Sequence, residues 1–189
     1  MKNLIQQLTE FVPFNEQEEL DKQVTLEFLN TFEDVLTRKN NFGHFSSSAL
    51  VLNKQKTKVL LVNHNIFGGY IYPGGHADGD TNLLGVAKRE VEEETSVKVS
   101  ELSAKIYGLQ ILPTKSHVKR GKYVNCHAHY DVLYLFEAVE GEVKVKEDEN
   151  TQVKWVSIED IKNNKIKLVD FIVPVFQKVF AKLENEKYI

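Results

Sequence analysis

Residues Gly74 to Val97 read GGHADGDTNLLGVAKREVEEETSV, and Glu90, Glu92, Glu93 and Glu94 crowd into five consecutive positions there. So much negative charge is either a solvated face or a metal site. At about 100° per residue in a helix, Glu90, Glu93 and Glu94 fall at i, i+3 and i+4 on one face. Glu92 points elsewhere, towards solvent. Leu84, Ala87 and Val91 form an adjoining apolar stripe that the helix can bury, which sets the three carboxylates beside the protein body. Like charges so placed repel, at about a few tenths of a kcal/mol per pair. Arg89 can pair with Glu93 four residues on, but one Arg does not balance three carboxylates. A hard divalent ion with oxygen ligands, Mg²⁺ first and Mn²⁺ second, is the natural counter-charge. In isolation REVEEE would read as a solvated acidic face. The preceding Pro73-Gly74-Gly75 reverses that, because a tight glycine turn lets the backbone approach a ligand and present a bare carbonyl to a cation.

The stretch resembles the signature of the Nudix hydrolases: a glycine, five residues, a glutamate, seven residues, then Arg-Glu-apolar-any-Glu-Glu-any-Gly-apolar. Gly75, Arg89, Glu90, Val91, Glu93, Glu94 and Val97 stand at matching positions, after the Pro-Gly-Gly-His often seen in the family. Two positions depart. Thr81 stands where the first glutamate belongs, and Asp80, one residue early, could let Gly79-Asp80 take the part of the usual Gly-Glu pair. Ser96 replaces the closing glycine, and a left-handed backbone there would cost serine more than glycine.

The resemblance implies an enzyme that hydrolyses a diphosphate linkage in a small molecule built from a nucleoside diphosphate and another group. It implies a metal held by Glu90, Glu94 and the carbonyl of Gly74, with Arg89 orienting the carboxylates. Glu93 or a glutamate from a later loop would be the general base. Among Glu147, Asp148 and Glu149, which precede Trp155-Val156-Ser157, Glu149 is the choice, although charge runs in loops are usually just solvated. A nucleotide-binding module that keeps the fold without cleaving is the competing reading, and Thr81 is its best support. A third reading, isomerisation of an isoprenoid diphosphate, would need Cys126 as an acid in the pocket.

Length and composition agree with a single such domain. The chain has 189 residues, 42% hydrophobic, enough for a proper core. A net charge of -3 provides no global basic footprint, so a nucleic-acid partner is not expected. One cysteine fits a reducing compartment, the N-terminal MKNLIQQLTEFVPFNEQ lacks the apolar centre of a signal peptide, and nothing is long enough to span a membrane. A cytoplasmic protein is expected.

Residues 15 to 38 predict a helix, capped by Asn15, with Leu20, Val24, Phe28, Phe32 and Val35 at helical steps. Ser48 to Asn53 and Lys58 to His64 read as a hairpin, and Gly68 to Tyr72 as a short strand. Leu102 to Leu112, Tyr123 to Val139 and Val153 to Val156 read as further strands. Ser157 caps a small helix, and Phe171 to Leu183 forms an amphipathic one with Pro174 in its first turn. Helices and strands in this order suggest a mixed sheet with helices on its faces, an α/β (α+β) architecture. That agrees with the α/β/α sandwich the resemblance implies for residues 45–189. Residues 1–44 are then an N-terminal helical extension that either covers the core or joins a homodimer.

His117, Cys126, His127 and His129 are familiar zinc ligands. Spacing argues against zinc: His127 and His129 share a strand face, Cys126 points the other way, and no CxxC partner exists. His129, Arg120 and Lys122 are instead candidate substrate contacts. Lys115, His117, Lys119, Arg120 and Lys122 form a basic stretch that either holds phosphates or is simply solvated.

Overall fold

The computed structural model describes residues 1–119, 121–146 and 150–189, with Lys119 described in its backbone only. In chain order the elements are α1 (Lys2–Glu10), α2 (Glu16–Thr31), β1 (Gly43–Asn53), β2 (Lys58–His64), β3 (Gly69–Ile71), β4 (Gly74–His76), α3 (Leu83–Thr95), β5 (Ser100–Glu101), β6 (Gly108–Thr114), β7 (His117–Lys119), β8 (Lys122–Val124), β9 (His127–Ala138), β10 (Asn150–Ser157), α4 (Ile158–Lys162) and α5 (Val173–Asn185). The main sheet runs β10-β2-β1-β9-β5, with β3 on β2, β4 on β1 and β6 on β9. It is mixed, because β1 and β9 are parallel whereas their other partners are antiparallel.

β1 is buried along its whole length, so its pleat feeds two cores. Phe45, Ala49 and Val51 join Leu83, Ala87 and Val91 of α3 on one side. Leu50 and Leu52 join Phe176, Val179 and Leu183 of α5 on the other. Helix α3 begins where Asn82 accepts the amide of Gly85 (3.2 Å) and ends at Ser96, which adopts φ 60°. Serine thus sits in the left-handed region that the motif's glycine would occupy without strain.

Several local expectations are corrected. Asn15 does cap α2, accepting the Glu18 amide at 3.0 Å, but the helix stops at Thr31 rather than residue 38. Leu20 and Val24 are exposed; the buried positions of α2 are Glu18, Thr25 and Phe28, so the apolar stripe misread the face. Helix α1 was not foreseen. Pro73-Gly74-Gly75 is no tight turn: Gly74 to His76 is a short strand paired with Ser46 to Ser48 of β1. The long strand from Tyr123 divides into β8, part of a separate two-stranded hairpin with β7, and β9.

Residues 1–44 are built into the molecule. Leu4, Leu8, Phe11, Phe28, Val35 and Leu36 are buried in the α3-side core, and Phe28 stacks on Tyr130 with ring centres 4.0 Å apart. Glu18, fully buried, lies 3.0 Å from Lys178 Nζ of α5 and accepts the backbone amides of Phe14 (2.8 Å) and Leu109 (3.3 Å). Lys178 also donates to Gln110 Oε1 and the Leu109 carbonyl, each at 3.1 Å. Burial pushes the Lys178 ammonium below its usual range, and the Glu18 charge opposes that push. Each ion satisfies the other, the condition under which a buried pair is tolerated. No helix among the described residues is long and apolar enough to cross a membrane.

Candidate active site

Glu90 and Glu94 project from α3 towards β4, one helical turn apart, and each meets one of the paired glycines. The Glu94 side chain is buried; Oε2 accepts the Gly74 amide and Oε1 accepts the Asn150 amide group, both at 3.1 Å. Glu90 lies over Gly75, where an added Cβ would stand 2.5 Å from Oε1. Gly75 is therefore glycine because a carboxylate occupies the side-chain position. Gly74 is glycine for a different close approach, since its Cβ would fall 2.9 Å from the Ser47 carbonyl oxygen. Neither glycine is in the positive-φ region.

Glu93 goes another way. Its side chain is half exposed, with Arg89 Nε at 3.9 Å and Lys146 Nζ at 3.6 Å. Glu92 is exposed, as expected. Thr81 is exposed as well, and the carboxylate beside it, Asp80, is the one within 3.6 Å of Arg89. Asp80 also accepts the Asn82 amide at 2.8 Å, which fixes the loop at the N-terminus of α3. Arg89 thus stands between Asp80 and Glu93, tying the loop to the helix. Glu149 and Arg120 lie outside the described residues.

An open cleft of about 630 Å³, lined by Asn65, Val145, Asn150 and Thr151, adjoins this arrangement, since Asn150 is both a wall of the cleft and the donor to Glu94. Asn150 Oδ1 is buried without a hydrogen-bond partner. An orphaned acceptor beside a buried carboxylate is what a water on a cation would satisfy. Two carboxylates with room for waters and phosphate oxygens is also the donor set in which Mg²⁺ is usually bound. The residues present fit a hard divalent ion. Sequence reasoning missed Asn150, because nothing in NTQVKW marks a position whose role comes from β10 beginning beside α3.

Of the suggested substrate contacts, Lys122 is exposed on the β7–β8 hairpin. His129 faces away from the glutamates. On β4, Gly75 is directed at Glu90, so the pleat turns His76 to the opposite face, where its ring lies 4.9 Å from that of His129. Cys126 is exposed, so it is no pocket acid.

This arrangement belongs to a known class of fold. The NUDIX domain family profile matches residues 43–179. The RNA pyrophosphohydrolase of Pelagibacter ubique (strain HTCC1062) is 30% identical over 143 residues, 72% of this chain and 88% of that protein. Among solved structures, the NUDIX domain of Shewanella oneidensis NrtR, complexed with ADP ribose, superposes with a TM-score of 0.53 at 18% identity, covering 83% of this chain and 97% of that one. The MutT protein of Methanosarcina mazei Go1 gives 0.51 at 22% identity, covering 76% and 96%. The chain belongs to the Nudix family, and its mixed sheet between helices is the Nudix fold. It is a Nudix hydrolase, an enzyme that opens pyrophosphate linkages.

Proposed function

We propose that this enzyme hydrolyses a diphosphate linkage in a nucleoside-diphosphate-type molecule, with Mg²⁺ or Mn²⁺ held by Glu90, Glu94 and the Gly74 carbonyl. The observation that supports this best is Glu94: a buried carboxylate fixed by a glycine amide on one side and by Asn150, at the wall of an open cleft, on the other. A bound divalent ion supplies charge neutralisation at the phosphates and a more acidic water. The chain's own residues do the rest. Gly74 and Asn150 hold Glu94 in one orientation, Arg89 anchors the Asp80 loop, and Glu93, half exposed, accepts the proton of the attacking water. As the water oxygen bonds to phosphorus, the bridging P–O bond breaks and its electron pair leaves with the departing phosphate group. General-base assistance of this kind is worth about 10² to 10⁴ in rate.

The pairing of Asp80 with Arg89 weighs against the non-catalytic reading, because a carboxylate still fills the place that Thr81 leaves open. The Pelagibacter relative brings a 5′-polyphosphorylated RNA end within range as a substrate, although the charge balance favours a small molecule. The test is a panel containing ADP-ribose, dinucleotides, nucleoside triphosphates, sugar nucleotides and a 5′-triphosphorylated oligoribonucleotide, assayed for released phosphate groups. Cleavage of a small molecule with Mg²⁺, abolished by a chelator, is expected. Cleavage of the RNA alone would move the substrate class, and binding without cleavage would establish a sensor.

A further inference from the structure

Parallel pairing of β1 with β9 places His44 directly opposite His129, and His127 stands two residues before it on the same face. The three rings lie 4.9 to 5.0 Å apart, and one ligand nitrogen from each falls within 4.8 Å of the other two. His76 of β4 closes the group, its ring 5.0 Å from that of His44. Among the described residues no other set of three histidines, cysteines or carboxylates gathers so closely.

Two features of the cluster point to a ligand. His44 is 3% exposed, yet neither ring nitrogen has a hydrogen-bond partner of good geometry, the backbone of Asn40 making only a minor contribution. A buried imidazole without partners is costly unless something else occupies its lone pair. His127 is oriented from behind: its Nδ1 donates to the Asn125 carbonyl at 2.8 Å, so Nε2 carries the lone pair and is hydrogen-bonded at 3.1 Å to His129 Nε2, which also meets Thr114 Oγ1 at 3.2 Å. A backbone carbonyl holding the far nitrogen is how metal-bound histidines are commonly fixed.

Three imidazoles turned towards one point offer a cation a set of nitrogen ligands. Geometry agrees, because two nitrogens at about 2.0 to 2.1 Å from a tetrahedral ion stand about 3.3 Å apart, close to the observed 3.1 Å. We propose that His44, His127 and His129 form a second metal site, for a borderline-soft divalent ion of the zinc type, on the face of the sheet opposite the glutamates. Three protein ligands leave a fourth position for water or a phosphate oxygen, as in zinc sites that take part in chemistry.

Cobalt(II) tests this, using the full chain freed of metal, without affinity histidines, and in excess Mg²⁺ to fill the carboxylate site. One equivalent should produce the visible bands of tetrahedral cobalt, and Zn²⁺ should displace them. His129→Gln and His127→Gln should lose the bands with circular dichroism unchanged, while Glu94→Gln keeps them. His127 is half-buried, so its variant decides the matter if the other misfolds. Absence of the bands in the wild type, their survival in a folded histidine variant, or their loss in Glu94→Gln would overturn the proposal. None of these outcomes depends on which phosphate compound is cleaved.

Discussion

The two faces of β4 carry opposite chemistry within three residues. Gly75 turns one face to the carboxylate of Glu90, whereas His76 turns the other to a cluster of imidazoles. The glutamate side draws both proposed ligands, Glu90 and Glu94, from adjacent turns of one helix. The histidine side draws its rings from β1, β4 and β9, far apart in the chain. Hard oxygen donors beside an open cleft suit an ion that exchanges with substrate, and imidazole nitrogens gathered on the other face suit one held more permanently. The contrast teaches that proximity in sequence and proximity in space report different sites in one small domain.

The largest expected effect separates the faces by activity. Glu94→Gln should lower hydrolysis about 10³-fold, the several kcal/mol that a lost cation position removes. Circular dichroism and the cobalt bands should stay unchanged, and a fully active, folded variant would remove the glutamates from the chemistry.

The next effect concerns the histidine face in the metal-free protein. The folded-state pKa of His44 is depressed to about 4 from an unfolded value near 6.5, so the folded state resists protonation. Stability is therefore fully present above about pH 6.5 and is lost as pH falls through 4, by about 3 kcal/mol for this residue. Urea unfolding between pH 7 and 4 should register the decline, and His44→Gln should reduce it, leaving the share that the still lower His129 contributes. An equal decline in the variant would show that carboxylates elsewhere set the acid limit.

Gly75→Ala sharpens the comparison at β4 itself, since the methyl group would displace the Glu90 carboxylate. A loss of about 10² in kcat/KM is expected, the scale of a 1 Å misplacement, with the cobalt bands retained. Loss of both functions would mean that β4 as a whole had moved. The smallest effect is Ser96→Gly. Relief of the left-handed serine at the end of α3 should raise stability by about 1 kcal/mol, or about 2 to 4 °C in Tm, without touching the histidine face.

Helix α3 was legible because what was read of it is local: carboxylate spacing and an apolar stripe. The same locality made Ser96 readable as the end of the helix, where the structure finds the left-handed backbone that costs serine more than glycine. Helix α2 was legible only in part. Its cap follows from Asn15, but the face it buries is decided by Glu18 finding Lys178 of α5, and no periodicity within Glu16 to Thr31 contains that partner. The paired glycines were recognised as necessary for the wrong reason. A turn was expected, whereas a strand with neighbours too close for a Cβ is what is found.

Spacing of His127 and His129 told against zinc because spacing compares only sequence neighbours. His44, more than eighty positions away, enters through the parallel register of β1 and β9. From its sequence alone this protein was fixed as a Nudix hydrolase with Glu90 and Glu94 beside a glycine pair, because those features repeat within single turns of one helix and its preceding loop. Only the tertiary structure decided that Asp80 rather than Thr81 meets Arg89, that Asn150 supports Glu94, and that four histidines converge behind β4. Each of those depends on strand register and on which side chain the pleat turns inward, and a one-residue slip in register would reverse it.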